Sequence, residues 1–258
     1  MTRCNSRPIG RVPASENPFV TTTTTKTLAL MVAIASIGAL SGCLIEPTEP
    51  LARGKSLYDS CLPCHGETGE GFPRVLAPSI GGLPQWYIEA QLLKFRAVKR
   101  GYHFDDLPGL RMRPMAMSMP TEADVKSVAA YIAQMPRVAH VATIQGGDVN
   151  KGKTYFQTCV ACHGADGAGN QALNAPAIAG ADDWYLFDQL VKFKTKQRGD
   201  PAIDPVGATM QAMTATLPDE QAMKDVVAYI KTLAVPVSAA MPAPSPSSPA
   251  APAPKGEH

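Results

Sequence analysis

Cys61-Leu62-Pro63-Cys64-His65 and Cys159-Val160-Ala161-Cys162-His163 repeat one spacing, CxxCH. Two thiols three positions apart can each form a thioether to a vinyl group of one haem, and the adjacent histidine then faces the iron as an axial ligand. One copy arises readily by chance; two in matching surroundings do not. Two covalently attached haem c groups are therefore expected, on Cys61 and Cys64 and on Cys159 and Cys162, with His65 and His163 on iron. Each iron still needs a sixth ligand, and a methionine there raises the potential and closes the site. Met112, Met115, Met117 and Met119 crowd one stretch, Met210 and Met213 another. Away from a haem motif such a cluster reads as adaptable core filling.

The second motif histidine lies 98 positions after the first, and this offset holds without gaps far beyond the motif. It pairs Gly54 with Gly152, Tyr58 with Phe156, Pro78 with Pro176, Trp86 with Trp184 and Gln91 with Gln189. Further on it pairs Phe95 with Phe193, Asp106 with Asp204 and Tyr131 with Tyr229. A unit this long is a duplicated domain rather than a solenoid repeat, whose period is roughly 20–50 residues. The register removes Met117 and Met119 as shared ligands, because their counterparts are Ala215 and Leu217. It leaves both Met112/Met210 and Met115/Met213. His103, a rival base, has Pro201 as its counterpart.

The elements that must position these groups read as all-α. The last helix of the first repeat opens on Thr121-Glu122-Ala123-Asp124, a capping-box pattern, followed by Val125, Val128, Ala129 and Ile132 on one helical face. Met223, Val226, Val227 and Ile230 repeat that face. Middle helices are expected over 84–99 and 182–195, with Pro84 in a first turn, and an opening helix over 51–60. Their charged residues, Lys94, Arg96, Lys99, Arg100 and those of 192–198, are read as solvated faces, and Trp86, Trp184, Phe95 and Phe193 as haem-side core. Gly54 and Gly152 fall mid-helix, where glycine costs up to about 1 kcal/mol relative to alanine. Close approach of the last helix explains them, with Tyr58 or Phe156 packing beside Tyr131 or Tyr229.

Helix, CxxCH, loop, helix, methionine-bearing loop and terminal helix with tyrosine is an order that resembles a class I cytochrome c domain. The tandem arrangement resembles the dihaem cytochrome c4 group. The resemblance implies that Pro78 and Pro176 offer their carbonyls to the proximal histidines. It also implies Met112 and Met210 as ligands, because the family's methionine is followed by six residues and then the apolar residue that opens the last helix. A carrier is implied rather than an enzyme, a dihaem protein passing single electrons from a quinol-oxidising donor complex to a terminal oxidase or reductase. The alternatives are an electron-entry subunit of a larger oxidoreductase complex, or a dihaem enzyme such as a thiosulfate dehydrogenase.

Residues 28–40 form an apolar run preceded by Lys26, with Arg3, Arg7 and Arg11 upstream, the layout of a secretory signal. It ends in Leu40-Ser41-Gly42-Cys43, which resembles a bacterial lipobox. The expected domains are a signal peptide over 1–42, a tether over 43–50, haem domains over 51–136 and 147–235, a linker over 137–146, and a Pro/Ala-rich tail over 236–258 that cannot bury enough apolar surface to fold. A periplasmic protein held to a membrane by lipid on Cys43 is expected; an uncleaved N-terminal helix is the alternative. His140, in the linker, is read as solvated. Loss of residues 1–42 leaves 20 basic against 21 acidic groups, no electrostatic footprint for nucleic acid.

Overall fold

A computed structural model describes residues 49–235; the signal, lipobox and tail expectations lie outside the described residues. Those residues form helices α1 (Pro50–Tyr58), α2 (Leu62–His65), α3 (Gln85–Arg96), α4 (Leu107–Met117) and α5 (Glu122–Ala133), then α6 (Val149–His163), α7 (Asp183–Lys194), α8 (Pro205–Ala215) and α9 (Glu220–Ile230). Extended pairing among them is limited to two isolated bridges, Phe72–Ala77 and Asn170–Ala175. The all-α expectation holds. None of the described helices is long and apolar enough to cross a membrane.

Opening and closing helices cross at the glycines. A Cβ on Gly54 would collide with the Ser127 carbonyl oxygen and stand 2.9 Å from Tyr131 Cβ, and one on Gly152 would collide with the Asp225 carbonyl oxygen. The aromatic pairs lie one turn on, Tyr58 against Tyr131 at 5.6 Å and Phe156 against Tyr229 at 5.1 Å between centroids. The cores behind them hold Tyr58, Ile88, Phe95, Val125, Val128 and Ile132 in one repeat, and Phe156, Leu217, Met223, Val226 and Ile230 in the other. Thr121 and Asp124 form the full capping box at α5, and Asp219 caps α9 through Ala222 N–H.

Three local expectations are corrected. Pro84 is the N-cap of α3, one position before the first turn. The methionine segments are not loops: Asp106 accepts from Gly109 N–H and Asp204 from Gly207 N–H, and these caps with a proline in each first turn start α4 and α8. The opening helix is broken in the first repeat and continuous in the second. Pro63 has no N–H, and its ring clashes with a helical carbonyl four residues back, so the chain turns tightly over 59–61 before α2. Ala161 stands at the matching position, and α6 runs through its whole motif.

Of the charged residues read as solvated, Lys99 and Lys196 are exposed, but Lys94, Arg100, Lys192 and Arg198 reach across to the other repeat. Arg100 donates to Gln91 at 2.9 Å in its own repeat, and to Tyr185 Oη at 2.8 Å and Gln189 at 3.2 Å in the other. Arg198 reciprocates, to Gln189 at 2.5 Å and Gln91 at 2.8 Å. Lys94 pairs with Asp204 at 2.8 Å and Lys192 with Asp106 at 2.7 Å. The contacts exchange under the offset of 98, as an isologous interface requires. The linker is also held: Thr143 and Ile144 N–H donate to Asp183, and His140 Nδ1 lies 3.3 Å from Asp182 rather than in open water.

Candidate functional site

In both repeats the turn that ends the motif delivers a buried histidine whose Nδ1 meets a proline carbonyl: His65 to Pro78 at 2.9 Å and His163 to Pro176 at 2.8 Å. Only a protonated Nδ1 can donate to that oxygen, so the bond fixes the tautomer and leaves Nε2 as a lone-pair donor. Burial pushes both imidazoles below their ordinary value, the direction that favours the neutral form, against the opposing pull of the proline carbonyl. A neutral imidazole is the form that ligates metal.

Each histidine faces an apolar crevice. A cavity of about 340 Å³ extends through both, lined by Cys61, Cys64, His65 and Met112 on one side and by Cys159, His163 and Met210 on the other. A second space of about 360 Å³ opens at the second crevice, against Cys159, Cys162, Met210 and Met213. Both methionine pairs thus border the crevices. Met112 packs against the first core, whereas Met115 is 37% exposed. Before any thioether forms, burial raises the Cys61 thiol and raises that of Cys159 to about 11, with Cys162 adding to the second effect. His103 is not in the crevice lining; it stacks on Phe104 at 4.6 Å.

The middle of the cavity contains what the sequence reading missed. Arg100 and Arg198 are buried, 8% and 7% exposed, and lie over Phe95 and Phe193 at 4.5 and 4.6 Å. Their hydrogen bonds go to amide and phenol oxygens, and neither has a carboxylate at ion-pair distance among the described residues. Burial alone would raise the Tyr185 phenol, yet Arg100 and Arg198 outweigh it and hold the phenol below its ordinary value. The buried Trp184 Nε1 has no acceptor among the described residues. Two unpaired cations and an orphaned donor at the join of two apolar crevices fit two porphyrins, each apolar over most of its area with carboxylates on one edge. The signal was present in sequence as a polar set repeated at the same offset: Tyr87/Tyr185, Gln91/Gln189, Lys94/Lys192, Arg100/Arg198 and Asp106/Asp204.

Comparison with known proteins agrees with this geometry. The cytochrome c family model matches twice, over residues 51–136 and 149–234. The chain is 31% identical to cytochrome c-552 of Acidithiobacillus ferridurans over 182 residues, 67% of this chain and 73% of that protein. It is 31% identical to a thiosulfate dehydrogenase electron acceptor of Thiomonas intermedia over 185 residues, 66% of this chain and 78% of that protein. The solved cytochrome c4 of Acidithiobacillus ferrooxidans superposes with a TM-score of 0.56 at 26% identity, covering 68% of this chain and 99% of that one. Two haem c groups, covalently attached, are the cofactors of this chain.

Proposed function

The chain belongs to the cytochrome c family as a dihaem, cytochrome c4-like electron carrier, and we propose that its irons are held by His65 with Met112 and by His163 with Met210. The observation that carries this is the twofold recurrence of one arrangement: a neutral histidine tied back to a proline carbonyl, facing a crevice bordered by a methionine in register. Bound there, haem supplies reversible one-electron iron chemistry. The chain's own part is to make that chemistry fast and exclusive. The proline carbonyls hold the imidazoles in place, the methionines would supply each iron's second protein ligand, and the packed helices would keep water away. Arg100 and Arg198, which line the join, would supply positive charge to cofactor carboxylates there.

With the same ligand set in both repeats, both irons would be closed to substrate, which supports a role in moving electrons rather than transforming a molecule. We place it in the periplasm, tethered to a membrane through lipid on Cys43. Its partners are redox proteins, with a quinol-oxidising complex as donor and a terminal oxidase or reductase as acceptor. The relative that serves as electron acceptor of a thiosulfate dehydrogenase supports the carrier role.

The test is the weak near-infrared band of methionine-bound ferric haem. Met112→Ala and Met210→Ala should each remove about half of it, as expected for one of two equivalent ligands. An unchanged band in either variant, or loss on replacing Met115 or Met213 instead, would overturn the assignment.

A further inference from the structure

The Pro78 carbonyl and the Ser79 amide belong to one peptide unit. Its oxygen accepts from His65 Nδ1 at 2.9 Å, and its N–H donates to Asp182 Oδ2 at 2.7 Å. Asp182 comes from the other repeat, where it stands at the N-cap of α7 without capping it by a side-chain bond. The carboxylate is 3% exposed, and its other oxygen faces His140 Nδ1 at 3.3 Å. A buried carboxylate is thus committed to one backbone amide of the neighbouring domain, the amide behind the proximal histidine.

Hydrogen bonds in a chain polarise one another in a low-dielectric interior, and a charged acceptor makes the strongest link. An anion on the N–H raises electron density at the carbonyl oxygen of the same peptide. That oxygen draws harder on the His65 Nδ1 proton, and the ring becomes a richer donor at Nε2. The second repeat lacks this arrangement. His163 meets Pro176 at 2.8 Å, but the next residue is Ala177, and the counterpart of Asp182 is Pro84, which has no carboxylate to offer.

We propose that Asp182 is a positioning residue for the first haem: from the second repeat it holds and polarises the Pro78–Ser79 peptide, makes His65 a stronger donor than His163, and thereby lowers the first haem's potential. Docking of the repeats is then felt at the first iron and not reciprocally at the second. The inference rests on the His65 ligation proposed above.

Full-length protein carrying both haems is titrated spectroelectrochemically as wild type and as Asp182→Asn, with Met112→Ala identifying the first haem's transition. The substitution keeps the shape of the side chain and removes its charge. The first haem's ferrous-to-ferric ratio at fixed poise should rise about threefold, which is about 30 mV at 59 mV per tenfold for one electron. The second transition should stay in place. No shift, or an equal shift of both haems, would overturn the relay. A measurement without any variant guards against a misfolded one. In the reduced wild type the His65 Nδ1 proton should resonate downfield of that of His163, and the Ser79 amide proton downfield of that of Ala177; coincident resonances would also overturn it. The wild-type spectrum tests the underlying reading separately. Loss of the histidine-ligated low-spin signature would remove the His65 ligation itself, whereas its presence beside an unmoved potential would remove only the role of Asp182.

Discussion

The two repeats share a plan and differ in how much of it is braced. The second has a continuous opening helix, α6, running through its haem motif, where the first is broken at 59–61 ahead of Pro63. The second also gathers in the linker: Asp183 takes Thr143 and Ile144 N–H, Lys231 Nζ donates to the His140 carbonyl at 3.1 Å, and Gln221 donates to the Gly146 carbonyl at 2.7 Å. The first repeat instead ties its helix crossing with an ion pair, Arg53 to Asp124 at 2.8 Å. The repeats share the motif, the proline carbonyl, the glycine crossing and the arginine. Their bracing differs, because many arrangements hold a helix pair and few hold a haem.

The interface offers the largest test of that contrast. The two reciprocal ion pairs look equivalent and are not. Lys192 has a second partner, Asp188 at 2.6 Å, whereas Asp204 is the ion-pair partner of Lys94 among the described residues. Both lysines are mostly buried, with side chains 18% exposed for Lys94 and 7% for Lys192. Removing one member of a buried pair strands the other charge and costs about 3–5 kcal/mol. Asp204→Asn should lose about that much in urea unfolding followed by circular dichroism, and Asp106→Asn distinctly less, because Lys192 stays paired. Equal losses would mean that the two halves of the interface are energetically symmetric after all.

Next in size is the helix crossing, where the repeats should behave alike. A glycine-to-alanine change inside a helix ordinarily stabilises by up to about 1 kcal/mol. At Gly54 and Gly152 the added methyl would drive into the backbone carbonyls of Ser127 and Asp225, so the sign reverses. Gly54→Ala and Gly152→Ala should each lose about 1–3 kcal/mol, the usual cost of overpacking. A stabilised variant in either repeat would show that its helices do not cross at that residue.

This crossing was legible in the sequence, because a mid-helix glycine followed one turn later by an aromatic, with a tyrosine in the closing helix, leaves few other packings. The capping box was legible for the same reason: its residues act on their own backbone. The methionine helices were not. Their apolar residues lack a 3.6 period and Pro114 lies inside α4, so only the Asp106 and Asp204 caps marked them. The interface was hidden more deeply. Lys94 on a helix and Arg100 just beyond it look solvated until a second copy of the same surface covers them, and periodicity says nothing of a partner. Asp182 was invisible for a related reason, since its acceptor role spans 103 positions and ends on a backbone amide.

The smallest effect expected concerns the linker and its pH range. Burial alone would raise the Asp183 carboxyl, but the donors from Ile144 and Thr143 outweigh it and hold it below its ordinary value. A carboxyl depressed in the folded state binds its proton less readily there than in the unfolded chain. Its contribution is therefore complete above the unfolded value, about 4, and is lost as pH falls through the folded one. The counterpart position holds Gln85, which cannot titrate, so the first repeat has no such loss at this position. Hydrogen exchange at the Thr143 and Ile144 amides should accelerate below about pH 4, relative to the intrinsic rate, and Asp183→Asn should show the same loosening at neutral pH. Protection unchanged down to the pH of global unfolding would mean that the linker is held by Lys231 and Gln221, and that the bracing which distinguishes the second repeat lies in its cations and amides rather than in this carboxylate.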